Sequence, residues 1–159
     1  HTIERSLLKR YCRNAVCQPK IIEAQTYEGI NACHLCIVAS GTATLETAIL
    51  EKPMVIVYKT SFSTWLMAKL LVKIPHIGLV NVVAGKKIVP ECVQFQATPE
   101  HIVSQLRKII TDEIRIAFIK KNLRDVKNLL GAPGASQRAA EIIYESTATT
   151  YDPNPSSGM

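Results

Sequence analysis

The stretch Cys36 to Tyr58, CIVASGTATLETAILEKPMVIVY, decides the fold. Cys36 to Ala39 is a short apolar run ending in small residues. Ser40, Gly41 and Thr42 then supply a turn and a helix cap. From Thr44, the apolar residues Leu45, Ala48 and Ile49 recur at helical spacing, which predicts a helix from Thr42 to Glu51. Lys52-Pro53 stops it, because proline lacks an N–H and disfavours helical backbone before it. Met54 to Tyr58 is a second apolar, β-branched run. Strand, turn, helix and strand, with both strands apolar throughout, predict an α/β fold with a parallel sheet covered on both faces.

In open parallel sheets the ligand sits at the carboxyl ends of the strands. Ser40, Gly41, Thr42 and Ala43 fall at such an end. They offer backbone N–H groups, hydroxyls and the positive end of a helix dipole, which together suit a phosphate. Small residues there also serve turns and caps that bind nothing. Glu46, one turn into the helix, could reach the two hydroxyls of a ribose whose phosphates sit at the helix start. Its other reading is a solvated acid that complements the dipole.

Working outward, Thr2 to Tyr11 reads as a helix, Lys20 to Ala24 as a short strand, and Thr26 to Ala32 as a short helix interrupted at Gly29. A helix is expected from Ser63 to Val72 and a strand-like run from Pro75 to Leu79. Val80 to Pro90 is expected to be a loop. Thr98 caps a helix with Pro99 at its first position, running to about Thr111. A longer helix spans Glu113 to Leu130 and is closed by Gly131, and a last one spans Gln137 to Glu145. The expected organisation is one unit over residues 1–145, half of a doubly wound α/β domain with a helical C-terminal segment. Ser146 to Met159 holds almost nothing to bury and is expected to be disordered.

At 159 residues and 47% hydrophobic content the chain can bury one core and not two. Its net charge is +6, but the basic residues are spread out and do not interleave with the three Phe and one Trp, which argues against nucleic acid. Lys69, Lys73, Lys86, Lys87 and Lys108 could instead meet an anionic membrane face or a diphosphate, or belong to an ordinary solvated surface. Cys33 and Cys36 form a CxxC with no second pair at zinc spacing. The five cysteines therefore read as reduced thiols of a cytosolic protein, and no metal is expected. No apolar run approaches the ~20 residues of a membrane span.

Trp65, Leu66, Leu70 and Leu71 lie beside Lys69 and Lys73 on the expected Ser63 to Val72 helix. Such a helix can lie on a membrane or contact an acyl chain; more often it covers a sheet. Asn81 in the following loop offers two donors and an acceptor, suited to a sugar hydroxyl or a nucleotide, or else it stabilises its own turn. His34, His76 and His101 have no nearby partner acid in the sequence and none is a convincing general base.

SGTATLE followed by KPMVIVYK resembles the C-terminal half of the lipid-A-disaccharide synthase family, bacterial two-domain glycosyltransferases of the GT-B type. The resemblance continues through WLMAKLLVKIPHIGLVNVVAGKKIVPECVQ and ATPE, from about Ala24 to Ser146. The family's L-P-N stands here as Leu79-Val80-Asn81, and its Ala-Gly-Arg as Ala84-Gly85-Lys86. The lysine replaces a planar fork with a point charge, so a bidentate contact would be weakened. The family's N-terminal acceptor domain and its Pro-Gly-Ser-Arg loop have no counterpart in these residues.

The resemblance implies a UDP-2,3-diacylglucosamine donor, a 2,3-diacylglucosamine 1-phosphate acceptor and inverting transfer without metal or cofactor. It assigns donor binding to Ser40, Gly41, Thr42, Ala43, Glu46, Asn81, Lys86, Glu91 and Gln94, with Asn81 also supporting catalysis. The general base for the acceptor hydroxyl would come from the other domain, so this chain alone is expected to be inactive. The implied setting is the cytoplasmic side of the inner membrane, with peripheral attachment, and a homodimer is left open. Two alternatives stand beside this: another GT-B UDP-sugar transferase, such as that of the peptidoglycan lipid pathway, and a non-catalytic nucleotide-sugar-binding subunit.

Overall fold

A computed structural model describes residues 3–13, 15–71 and 75–150. Three parallel strands form the sheet in chain order: β1 (Cys36–Ala39), β2 (Met54–Tyr58) and β3 (Glu91–Val93). Cys36 pairs with Met54 and Ala39 with Val57, while Ile56 pairs with Glu91 and Tyr58 with Val93. The sheet with its flanking helices is the α/β, Rossmann-like class that the strand–turn–helix–strand pattern predicted. Around it run α1 (Arg5–Cys12), α2 (Thr26–Ala32), α3 (Ala43–Ile49), α4 (Phe62–Leu71), α5 (Leu79–Val83), α6 (Pro99–Ile110), α7 (Glu113–Leu129) and α8 (Ala135–Thr150).

The core forms where β2 lies under helices. Met54, Val55 and Ile56 are fully buried, as continuous β-branched and apolar runs become when helices cover them. Helix α7 presents Ile119, Asn122, Leu123 and Val126, an i, i+3, i+4, i+7 stripe, and packs on α3, α5 and α6. Burying side chains such as Ile56 and Leu123 contributes ~1.5–3 kcal/mol each. The ion pair of Glu51 with Arg124 (2.9 Å) is peripheral by comparison, because Arg124 remains 64% exposed. Thr44 and Thr47 are buried in α3, and their hydroxyls donate to the Gly41 and Ala43 carbonyls, both at 2.8 Å. Helix α3 can thus lie against the core with no orphaned hydroxyl.

The end of α3 differs in detail from the proline stop. Glu51 takes a left-handed φ of 53°, its N–H donates to the Ala48 carbonyl, and the Lys52 N–H reaches back to Thr47. This paired closure ends the helix before Pro53 is reached.

Several expectations are corrected. Lys20 to Ala24 forms no strand, and Ala24 adopts a left-handed φ of 57°. β1 pairs with β2 alone, so Lys20 and Ile22 line a cleft of about 640 Å³ beside β1 instead of extending the sheet. β1 is also not covered on both faces, since Ile37 is 59% exposed. Pro75 to Leu79 bends rather than extends, because the Ile77 and Gly78 N–H groups donate to the Glu91 carboxylate and not to a neighbouring strand. The expected loop from Val80 contains most of α5, and β3 follows it unforeseen. Ser146 to Thr150 continues α8, with Ser146 and Thr147 hydroxyls donating to the Ile142 and Ile143 carbonyls. Thr2, Val72, Lys73 and residues 151–159 lie outside the described residues.

Candidate functional site at the carboxyl ends of the strands

β1 delivers the chain into the Ser40 turn. The Ser40 N–H still donates to Val57, extending the ladder by one bond, and the backbone then turns away at Gly41, where φ is +150°. That conformation is strained for any residue with a Cβ. A Cβ there would meet nothing within 4 Å, so the outer side of the turn is open. Thr42 follows with helical angles and no side-chain capping bond, so the expected hydroxyl cap is not made. Among the described residues, no acceptor pairs with the N–H of Gly41, Thr42 or Ala43. Three backbone donors therefore point out of the start of α3, an arrangement that favours negative charge.

The Ser40 hydroxyl is committed elsewhere. It donates to the Ile77 carbonyl at 3.0 Å. The N–H of the same Ile77 donates to Glu91 Oε2 at 3.0 Å, and the Gly78 N–H donates to Glu91 Oε1 at 3.1 Å. A Cβ at Gly78 would run into Ile56 Cδ1, so a larger residue there would force that buried side chain to shift. The Glu91 carboxylate thus holds the start of α5, whose neighbouring peptide holds the Ser40 turn.

Asn81 sits fully buried at the centre of this network. Its Nδ2 donates to the Val89 carbonyl (2.9 Å) and to Glu91 Oε1 (2.7 Å). Its Oδ1 accepts from the N–H groups of Ile88 (2.9 Å) and Val89 (3.1 Å). Every donor and acceptor position of the amide is used. The sugar-facing and catalytic-support role expected of Asn81 therefore finds no free group on it; the residue organises the turn between α5 and β3. Gln94 is similar. It is buried at a left-handed φ of 52°, accepts from the Thr60 N–H at 3.1 Å and donates to the Thr60 carbonyl at 2.8 Å. This pair ties the end of β3 to the end of β2.

The structure thus joins Ser40, Asn81 and Glu91 into one network and places Gln94 beside it on the same strand ends. Glu46 is half-buried in the first turn of α3, and Lys86 is exposed after Gly85; neither side chain makes a hydrogen bond or ion pair among the described residues. The anchoring role of Glu91 was missed in the sequence. Its one signal was the Pro-Glu step into an apolar pair, which does not by itself reveal what the carboxylate accepts.

Of the cysteines, Cys92 lies in this region, buried on β3 directly after Glu91. Burial, and next the neighbouring Cys33, push the Cys36 thiol up to about 11, while the Cys33 thiol donates to the Gly29 carbonyl. His101 contacts Gln105 at 3.4 Å on α6. Among the described residues, no helix is long and apolar enough to cross a membrane.

These features define the class: a Rossmann-like parallel α/β fragment with an open, unpaired backbone turn at the carboxyl end of its first strand. A sequence profile described as lipid-A-disaccharide synthetase matches residues 2–145. The chain belongs to that family. It is 41% identical over 121 residues to a lipid-A-disaccharide synthase of Syntrophus aciditrophicus, covering 76% of this chain and 32% of the relative. Identity is 37% over 143 residues to one from Anaeromyxobacter dehalogenans, covering 89% and 37%. It is 32% over 144 residues to one from Myxococcus xanthus, covering 91% and 38%. The chain spans about a third of the length of the curated relatives it matches.

Proposed function

We propose that this chain is the UDP-sugar-binding part of a glycosyltransferase of lipid A biosynthesis. The observation that carries the reading is the trio of unpartnered N–H groups of Gly41, Thr42 and Ala43 at the start of α3. They would take the diphosphate of the donor and stabilise the negative charge that grows on UDP as it leaves. Ser40 sets the turn, Glu46 meets the ribose hydroxyls, and Lys86 adds a point charge. Asn81, Glu91 and Gln94 hold the frame in which these groups stand.

The donor is UDP-2,3-diacylglucosamine and the acceptor 2,3-diacylglucosamine 1-phosphate, with inversion at the transferred carbon. The acceptor pocket and the general base would be supplied by sequence outside these 159 residues, so the isolated chain should form no disaccharide. Attachment is peripheral, to the inner membrane from the cytoplasm.

Calorimetry with UDP and with pyrophosphate tests the assignment. Glu46→Gln should weaken UDP and leave pyrophosphate unchanged, because the proposed partner of Glu46 is the ribose. Equal loss for both ligands would remove Glu46 from the site, and no binding of either ligand by the parent chain would remove the reading itself.

A further inference from the structure

The amino end of β1 carries a pair of thiols that the proposed donor site does not use. Cys33 closes α2 and is exposed, while Cys36 opens β1 and is buried. Only His34 and Leu35 separate them in the chain. The charge of Cys33 and its side-chain hydrogen bond both act on the Cys36 thiol, so the two side chains are neighbours in space as well. Both line the cleft of about 640 Å³ beside β1, and through it a small molecule in solvent can reach them.

The charge of the cleft says which molecule. Among the described residues along its wall Lys20 is charged and no acid is present. Lys52 adds a second positive charge that acts on Cys36, and its Nζ is held in place by donating to the Asn31 carbonyl at 2.6 Å. Two thiols in a positive field fit a small anionic partner that reacts with sulfur. The surroundings also set the order of reaction. Cys33 is open to solvent. Cys36 is kept in its neutral form, first by burial and next by the negative charge that a Cys33 thiolate would carry. Once the Cys33 sulfur is bonded to another sulfur that charge is gone, so Cys36 reacts second.

We propose that Cys33 and Cys36 form a dithiol site oxidised by small anionic disulfides of the glutathione type, with Cys33 attacking and Cys36 closing the ring. The Cys33 thiolate, its proton given to solvent, bonds to one sulfur of the small disulfide. The S–S bond of that disulfide breaks, and the other half leaves as a thiolate that takes up a proton. Cys36 then gives up its proton and attacks the Cys33 sulfur, the mixed S–S bond breaks, and the second small thiol leaves. Two protein thiols are oxidised to one disulfide while one small disulfide is reduced to two thiols. The site receives oxidising equivalents and does not catalyse exchange: Cys33 stands at the C-terminal end of α2, whereas a helix N-terminus is what activates a catalytic thiol. The inference is independent of the nucleotide reading, since Ser40 lies beyond the other end of β1.

Mass spectrometry of the chain after incubation with oxidised glutathione, acid quenching and alkylation tests the proposal. The tryptic peptide Ile21–Lys59 carries Cys33 and Cys36 and no other cysteine, because trypsin does not cut the Lys52-Pro53 bond. In the parent this peptide should end two hydrogens lighter, with no glutathione attached. Cys92, buried and not on the cleft wall, should stay reduced. Cys36→Ala should stop with one glutathione on Cys33, and Cys33→Ser should leave Cys36 reduced over the same time. Lys20→Glu, made in a Cys17→Ser chain so that its longer peptide still carries only this pair, should react severalfold more slowly with oxidised glutathione. The same variant should react with neutral hydroxyethyl disulfide as its Cys17→Ser parent does, and the difference should shrink as salt rises. Melting temperatures show that each variant is folded, and Cys33→Ser, at an exposed position, carries the test if Cys36→Ala is not. A parent peptide that stays reduced, or that ends with two glutathiones and no ring, would overturn the proposal. So would a Cys33→Ser chain whose Cys36 reacts as fast as Cys33 does in the parent, or equal slowing of both disulfides by Lys20→Glu.

Discussion

The Ser40–Ala43 turn and the Asn81–Gln94 segment carry the same kinds of polar groups and use them in opposite ways. In the turn, three successive backbone N–H groups have no acceptor among the described residues, and a Cβ on Gly41 would meet open space. In the segment, one buried amide makes four hydrogen bonds and one carboxylate accepts three. A group that is already satisfied has little left to offer a ligand; a group left unpaired at an open helix start has its full interaction free energy available. The difference supports the proposal that the turn contacts the ligand while the segment serves as architecture.

The largest expected effect comes from the architectural side. Asn81→Ala would orphan the Ile88 and Val89 N–H groups and the Val89 carbonyl in a buried place, which should cost roughly 2–4 kcal/mol in urea unfolding. An unchanged urea midpoint would break the comparison. Next is Gly41→Val. It forces a branched residue into a glycine conformation, costing ~1–3 kcal/mol of stability. It also crowds the proposed phosphate position, so UDP affinity should fall by about tenfold or more, which is ~1.4 kcal/mol. Unchanged UDP affinity in calorimetry would return the turn to a purely structural role. Lys86→Ala should leave stability alone and weaken UDP severalfold, with the loss shrinking as salt rises, because an exposed ammonium acts as a screened point charge. A salt-independent loss would point to a direct packing role instead.

The smallest effect lies far from both regions. Arg124, by hydrogen bond and then by charge, holds the Glu51 carboxyl below its ordinary value. A lowered folded-state value means the contribution is present above the ordinary carboxylate range and disappears as pH falls through the lowered one. Glu51→Gln should therefore destabilise slightly at neutral pH and not at all in strong acid, as seen by thermal melts across pH. A loss that persists in acid would mean that the left-handed Glu51 backbone, not its charge, was disturbed.

Legibility in the sequence followed the size of the local signal. β1 and β2 were legible to the residue because each is an apolar run bounded by small or proline residues. Helix α6 was legible through Thr98 and Pro99, and the Thr98 hydroxyl does accept from the His101 N–H. β3 was not, because three residues carry no period and its existence depends on pairing with β2. Helix α5 hid behind Val80, Val82 and Val83, poor helix formers whose helix is held by Glu91 at its start and Asn81 within it. The site divided in the same way. The glycine turn after a strand has a chemistry visible in order along the chain. The saturation of Asn81 depends on where Ile88, Val89 and Glu91 come to lie, which only the folded chain displays.

The central claim is that the backbone of the Ser40 turn, and not the Asn81 segment, contacts the nucleotide diphosphate. Backbone amide NMR of the 15N-labelled chain during a UDP titration tests it most directly. The account predicts the largest shifts at the N–H groups of Gly41, Thr42 and Ala43, with Ile88 and Val89 nearly still. Large shifts at Ile88 and Val89 with a silent Ser40 turn would contradict it.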